Sequence, residues 1–154
     1  MMKKVFLATS FSGKVDAHTG EVLPDFRTGI EQILAGLRKD NMCEVFCAIE
    51  HEGWMIANNV AAEVGVRVDL QAIEAADVVV ALMDAQPSAG VQLELGYAVA
   101  KDKQVILAHH TGEKLAYFNQ GVISMGLMTP VAYEGIDTLI EQLAIAISAP
   151  ASDI

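Results

Sequence analysis

DVVVALMDAQPSAGVQLELGYAVAKDKQVILA, residues Asp77 to Ala108, is the stretch whose reading decides the fold. It opens on an uninterrupted apolar, β-branched run and closes on another, QVILA, each the pattern of a strand covered on both faces. Between them a Pro/Ser/Gly turn leads into a helical pattern. The order strand, loop, helix, strand is the crossover unit of a parallel sheet. In an open parallel sheet ligands sit beyond the carboxyl ends of the strands, so the loop Asp84 to Gly90 and the first turn of the helix are expected to face a pocket. Glu94 is read there, flanked by Leu93 and Leu95, with Gly90 and Gly96 allowing close backbone approach and Gln86-Pro87-Ser88 supplying polar groups. A helix N-terminus favours a charged carboxylate through its dipole and free N–H groups, which makes Glu94 a candidate nucleophile. The plainer reading is a first-turn acid placed to suit the dipole.

Upstream, Lys3 to Ser10 (KKVFLATS) reads as the first, central strand. The turn after it, Ser10-Phe11-Ser12-Gly13-Lys14, is a phosphate-loop candidate without the full Gly-rich fingerprint, and its plainer reading is a loop in which Ser10 or Ser12 satisfies backbone groups. His18, in the loop Asp16 to Glu21, is read as solvent-exposed. Pro24 to Arg38 is amphipathic, with Phe26, Ile30, Ile33, Leu34 and Leu37 at helical spacing, and covers the sheet. Cys43 to Ile49 reads as the second strand and delivers Glu50, His51 and Trp54 to the end of the sheet that carries the first loop. His51 and the only Trp there are either structural or a polar handle and stacking surface for a planar base. Val60 to Ala76 is helical, with Leu70, Ile73 and Ala76 inward and Asp69 in the position of an N-cap. Downstream, Thr111 to Met128 is mixed, Thr129 to Tyr133 is a short edge strand where Pro130 is tolerated, and Gly135 to Ser148 is the last helix. Residues 1–148 are thus expected to form a single domain, with 149–154 as a frayed tail.

At 154 residues the chain is long enough to bury about two-thirds of its unfolded surface without staples. A net charge of −10 argues against a phosphate-tracking surface, so no nucleic-acid partner is expected, although one phosphate can still be held by backbone N–H groups. The apolar run near Met1 is too short and too soon interrupted by Ser10, Ser12 and Gly13 for a signal or membrane span, which reads as a cytoplasmic chain with no membrane partner. Cys43 and Cys47 share one strand face and are too far apart to bond, and no zinc spacing is present. The 53% hydrophobic content suits doubly covered strands and also apolar surface buried between subunits.

The run DLQAIEAADVVVALMDAQPSAGVQLELGYAVAKDKQVI, Asp69 to Ile106, resembles the nucleoside 2-deoxyribosyltransferase superfamily, and its QPS-x-GV-x-x-ELG portion resembles the branch that hydrolyses nucleoside 5′-monophosphates. The resemblance implies a flavodoxin-like five-stranded parallel sheet with helices on both faces, working as a homodimer or higher homo-oligomer. It makes Glu94, the acid of ELG, the nucleophile that forms a covalent glycosyl-enzyme and releases the base. Asp69 matches the Asp of the family's D-L-x-x-x-x-x-A-D segment and is expected to contact the sugar or handle a proton. Ser88 stands where transferases acting on unphosphorylated nucleosides carry an Asp, so a charge that would repel phosphate is replaced by a donor. Phe6 stands where deoxy-preferring members have Tyr, which leaves room for a 2′-hydroxyl and admits ribonucleotides such as CMP. Where the family offers a polar residue to a neighbouring active site this chain has Ala116, with Tyr117 and Asn119 close by.

The expected activity is hydrolysis of a nucleoside 5′-monophosphate to free base and sugar 5-phosphate, with Glu94 and Asp69 catalytic. Phe6, Ser10, Ser12, Gly13, His51, Trp54, Ser88, Gly90 and Asn119 are the expected substrate contacts, and neither metal nor organic cofactor is called for. Base exchange on deoxynucleosides is the first alternative and a non-catalytic nucleotide-binding protein the second.

Overall fold

Side chains alternate across a strand with a period of two, so a strand apolar at every position must be covered on both faces. In a computed structural model of the chain, which describes residues 2–10, 16, 21–51, 55, 58–83 and 88–150, the strands sort their side chains in this way. Val5, Leu7, Val78, Val80, Ile106 and Ala108 enter one buried cluster, while Phe6, Ala8, Val79, Ala81, Val105 and Leu107 enter the other. The strands are β1 (Lys3–Thr9), β2 (Cys43–Cys47), β3 (Val78–Leu82), β4 (Gln104–His110) and β5 (Thr129–Tyr133). They form one five-stranded sheet in the order β2-β1-β3-β4-β5, and every pairing is parallel. This is the α/β, flavodoxin-like arrangement, with its order reversing between β1 and β3.

Helices α1 (Pro24–Arg38) and α5 (Ile136–Ser148) cover the first cluster. Helices α2 (Ala62–Ala75), α3 (Ala89–Ala100) and α4 (Tyr117–Ser124) lie over the second. Pro24 sits in the first turn of α1, where its missing N–H costs nothing, and Ile30, Ile33, Leu34 and Leu37 form the buried stripe. The two outer helices meet closely at Gly36, where an added Cβ would lie 2.7 Å from Cγ2 of Ile140. Pro130 falls in the edge strand β5, where a lost ladder donor is tolerated.

Two of the expected boundaries that move bear on the acids. Helix α2 begins at Ala62, so Asp69 lies in mid-helix and is not its N-cap; Ala61 holds that position. The stretch AEVGVRV ahead of Asp69 carries exposed valines at 64 and 66, so its helical start leaves little amphipathic trace. Helix α3 begins after Ser88, which places Glu94 in its second turn rather than its first. The expected contacts Ser12, Gly13 and Trp54, the loop residues Asp84 to Pro87, His18 and positions 151–154 lie outside the described residues.

Candidate active site

Strand β1 runs through the middle of the site. Phe6 is 1% exposed and pairs in register with Phe46 on β2, so parallel neighbours place the two rings on the same face. Their centroids are 5.7 Å apart and the ring planes are 14° from parallel, a stacked arrangement. The ring of His51, just past β2, continues the stack at 5.4 Å from Phe46. Such offset pairs contribute on the order of 1 kcal/mol beyond the area they bury. Phe46 was not among the expected site residues, although its register opposite Phe6 is readable once the two strands are recognised as neighbours.

The turn that presents His51 is held from outside. Arg38, the last residue of α1, donates to both carboxylate oxygens of Glu50 at 2.9 and 2.7 Å and to the carbonyl of Val45 at 2.7 Å. The hydrogen bonds from Arg38 hold the Glu50 carboxyl below its usual range, against a smaller opposing effect of burial. Glu50 is therefore engaged in fixing the end of β2, and a bidentate pair of this kind fixes geometry better than a lysine contact would.

Glu94 and Asp69 face each other electrostatically from α3 and α2. Burial raises the Glu94 carboxyl from 4.5 to about 7, and the charge of Asp69 adds to the rise. Asp69 is itself raised by burial, and the nearby His51 opposes that shift. These directions correct the expectation that the helix dipole keeps Glu94 charged. The dipole contributes about 0.3–1 kcal/mol and fades after the first turn, whereas a rise of that size corresponds to roughly 3 kcal/mol. Desolvation wins. The expected pair of apolar flanks also separates: Leu95 is 1% exposed, and Leu93 is 63% exposed. Adjacent helical residues point about 100° apart, so both cannot wall one carboxylate.

Ser88 caps α3, its hydroxyl oxygen accepting from the N–H of Val91 at 3.2 Å. That leaves its proton free to donate elsewhere. Gly90 lies beside it, and a Cβ there would stand 3.8 Å from the Ser88 hydroxyl. On α4, Asn119 is 1% exposed, and neither atom of its amide has a hydrogen-bond partner among the described residues. Tyr117, two residues earlier, is 92% exposed. The Ser10 hydroxyl, at the end of β1, is likewise buried without a partner among the described residues.

Burial pushes the Cys47 thiol up to about 12, so it is not a nucleophile at neutral pH. Among the described residues no group of three or more His, Cys, Asp or Glu is arranged to hold a metal ion, and no helix is long and apolar enough to cross a membrane.

A family model described as nucleoside 2-deoxyribosyltransferase matches residues 23–141. No curated protein matches by sequence. Among solved structures, BlsM is 24% identical with a TM-score of 0.76, the alignment covering 99% of this chain and 98% of that one. The CMP N-glycosidase BcmB of Clostridium botulinum is 21% identical with a TM-score of 0.69, covering 93% of this chain and 98% of the other. A conserved protein of Enterococcus faecalis V583 is 18% identical with a TM-score of 0.56, covering 93% and 98%. At these identities the likeness is one of fold.

Proposed function

Because this chain belongs to the nucleoside 2-deoxyribosyltransferase family, whose members act on nucleosides or nucleotides as glycosyl transferases or hydrolases, we propose that it hydrolyses the N-glycosidic bond of a nucleoside 5′-monophosphate. The observation that carries the reading is the desolvated Glu94 carboxyl, raised to about 7, with the charge of Asp69 near enough to add to the rise. A carboxylate stripped of water is a better nucleophile than a solvated one, and a second acid with a raised pKa can carry the proton the departing base needs.

In the first step an oxygen of Glu94 bonds to C1′ as the C1′–N bond breaks. The electron pair leaves with the base nitrogen, and Asp69 delivers the proton. Water then attacks C1′, breaks the ester to Glu94 and passes its proton to the ionised Asp69, which yields free base and sugar 5-phosphate. Ser88 donates to the phosphate, with Ser10, Ser12 and Gly13 as further contacts. Phe6 floors the sugar, and having no phenol it leaves the 2′-hydroxyl unobstructed, which favours a ribonucleotide such as CMP. His51 and Trp54 bound the base. Asn119 contributes a buried amide with no hydrogen-bond partner among the described residues, and a ligand that meets it relieves a cost of about 1–3 kcal/mol.

The direct test is incubation with CMP, dCMP, AMP and dGMP and chromatography for free base. We expect release from at least one, with kcat/KM rising along an acid limb near pH 7 as Glu94 ionises and falling again once Asp69 has lost the proton it must deliver. Base exchange between unphosphorylated deoxynucleosides, with no release from any monophosphate, would establish the transferase instead. Nucleotide binding without either product would leave a binding protein.

The proposal includes a homo-oligomer. Leu93 on α3 and Tyr117, Phe118 and Met125 at α4 are 63%, 92%, 74% and 68% exposed, an apolar surface that a second copy would cover. Replacing both Tyr117 and Phe118 by Ser is expected to lower the mass in light scattering to that of the 16.5 kDa chain. An unchanged oligomer would place the interface elsewhere.

A further inference from the structure

Across the sheet from Glu94, where α1 and α5 begin, lies a cavity of about 360 Å³. Its floor is the ends of β1 and β3, at Ser10 and Met83, and its walls are apolar, among them Phe26, Ile30, Leu82 and Leu139. The volume lies within the range of small-molecule sites. Glu94 and Asp69 belong to helices on the other face and take no part in it.

The rim decides what the cavity can take. Asp25 and Glu134 are exposed residues on its lining, and no lysine or arginine is found among the described residues that line it. Two helix N-termini open toward it and each contributes about half a positive charge, so together they offset about one of the two carboxylates. Asp137 in the first turn of α5 adds a further negative charge close by. Summed over the described residues, the rim is net negative, in a chain of net charge −10. His110, whose ring lies 4.4 Å from that of Tyr133, adds an aromatic wall at the same end.

We propose that this cavity is a second ligand site, on the face of the sheet away from Glu94 and sharing only Ser10 with the expected substrate contacts, that takes a small organic cation: an ammonium or amidinium group on an aromatic or branched aliphatic body. The apolar body lies against the α1 and α5 side chains and the charged group lies at the rim between Asp25 and Glu134. The site stands on its own geometry, whether or not the glycosidase reading holds.

Three probes of one shape separate charge from size: phenethylammonium, 2-phenylethanol and phenylacetate, titrated into the full chain and followed by methyl NMR. Saturable shifts at the methyl groups of Ile30 and Leu139 are expected, with the cation binding tightest and the anion weakest. In the Asp25→Asn, Glu134→Gln double variant the cation should bind about fivefold more weakly, the effect of losing two partly exposed charges, with 2-phenylethanol unchanged. Both replaced residues are exposed, and a melting temperature close to that of the parent confirms folding. Glu94→Gln should bind the cation as the parent does. Phenylacetate binding as tightly as the cation, shifts centred elsewhere, or no saturable shift with any probe would each overturn the proposal.

Discussion

Glu94→Gln is expected to abolish base release, by roughly 10³-fold or more, and at the same time to make the protein more stable at pH 8. The first effect follows from losing the atom that bonds to C1′. The second follows from the direction of the Glu94 shift. The folded chain holds the Glu94 proton up to about 7, against an ordinary value of 4.5. Below 4.5 both folded and unfolded chains are protonated there, and the group has no effect on stability. Between 4.5 and about 7 the folded form binds more protons, so stability falls as pH rises, and above 7 the whole penalty is felt. That penalty is about 2–3 kcal/mol. Glutamine carries no charge to desolvate, so its melting temperature should exceed the parent's by on the order of 5 °C at pH 8 and by little at pH 4. Calorimetry at the two pH values, beside the base-release assay, checks both halves. Full activity in the variant would remove Glu94 from the mechanism, and an equal rise at both pH values would trace the stability gain to packing rather than charge.

The pairing of those two effects separates a working acid from a structural one. An acid kept for stability sits where its charge is welcome, as Glu50 does against Arg38, and its removal loosens the fold. Glu94 sits where its charge is unwelcome, and the burial of Val91, Leu95 and Ala98 on the same helix offsets the cost.

The sheet was readable from residue order because fully covered strands are apolar at every position, and Asp77 to Ala108 has two such runs joined by a helix. Placing the acids was harder. Asp69 precedes Leu70, Ile73 and Ala76 in the manner of a cap, but partial burial of its own turn, and not a free helix end, is what its position supplies. Glu94 reads one turn too early because the loop is carried through Gly90, whereas Ser88 is the cap and the helix starts at Ala89. Neither error moves a side chain off its helix, yet each reverses the electrostatics, since a mid-helix carboxylate meets desolvation where a first-turn one meets the dipole. Phe46 and Arg38 act through neighbours distant in sequence or on another element, and single-sequence periodicity carries no such information.

Ser88→Asp is expected to reverse the preference for phosphate. Aspartate is as good an N-cap as serine, so α3 should keep its start and the fold its stability, which leaves charge as the only large change. A carboxylate placed about 5 Å from a phosphate of charge near −2 repels it by about 3 kcal/mol at an effective dielectric constant of about 40, a loss on the order of 10²-fold in kcat/KM for a nucleoside monophosphate. The same oxygen can accept a hydrogen bond from an unphosphorylated 5′-hydroxyl, so the matching nucleoside should gain. The ratio of the two substrates, rather than either rate alone, carries the test, because a general defect would depress both. If the variant keeps its melting temperature and the ratio stays within a few-fold of the parent's, Ser88 does not face the phosphate. The 5′ group must then be held by other residues, those of the loop after β1 being first in line.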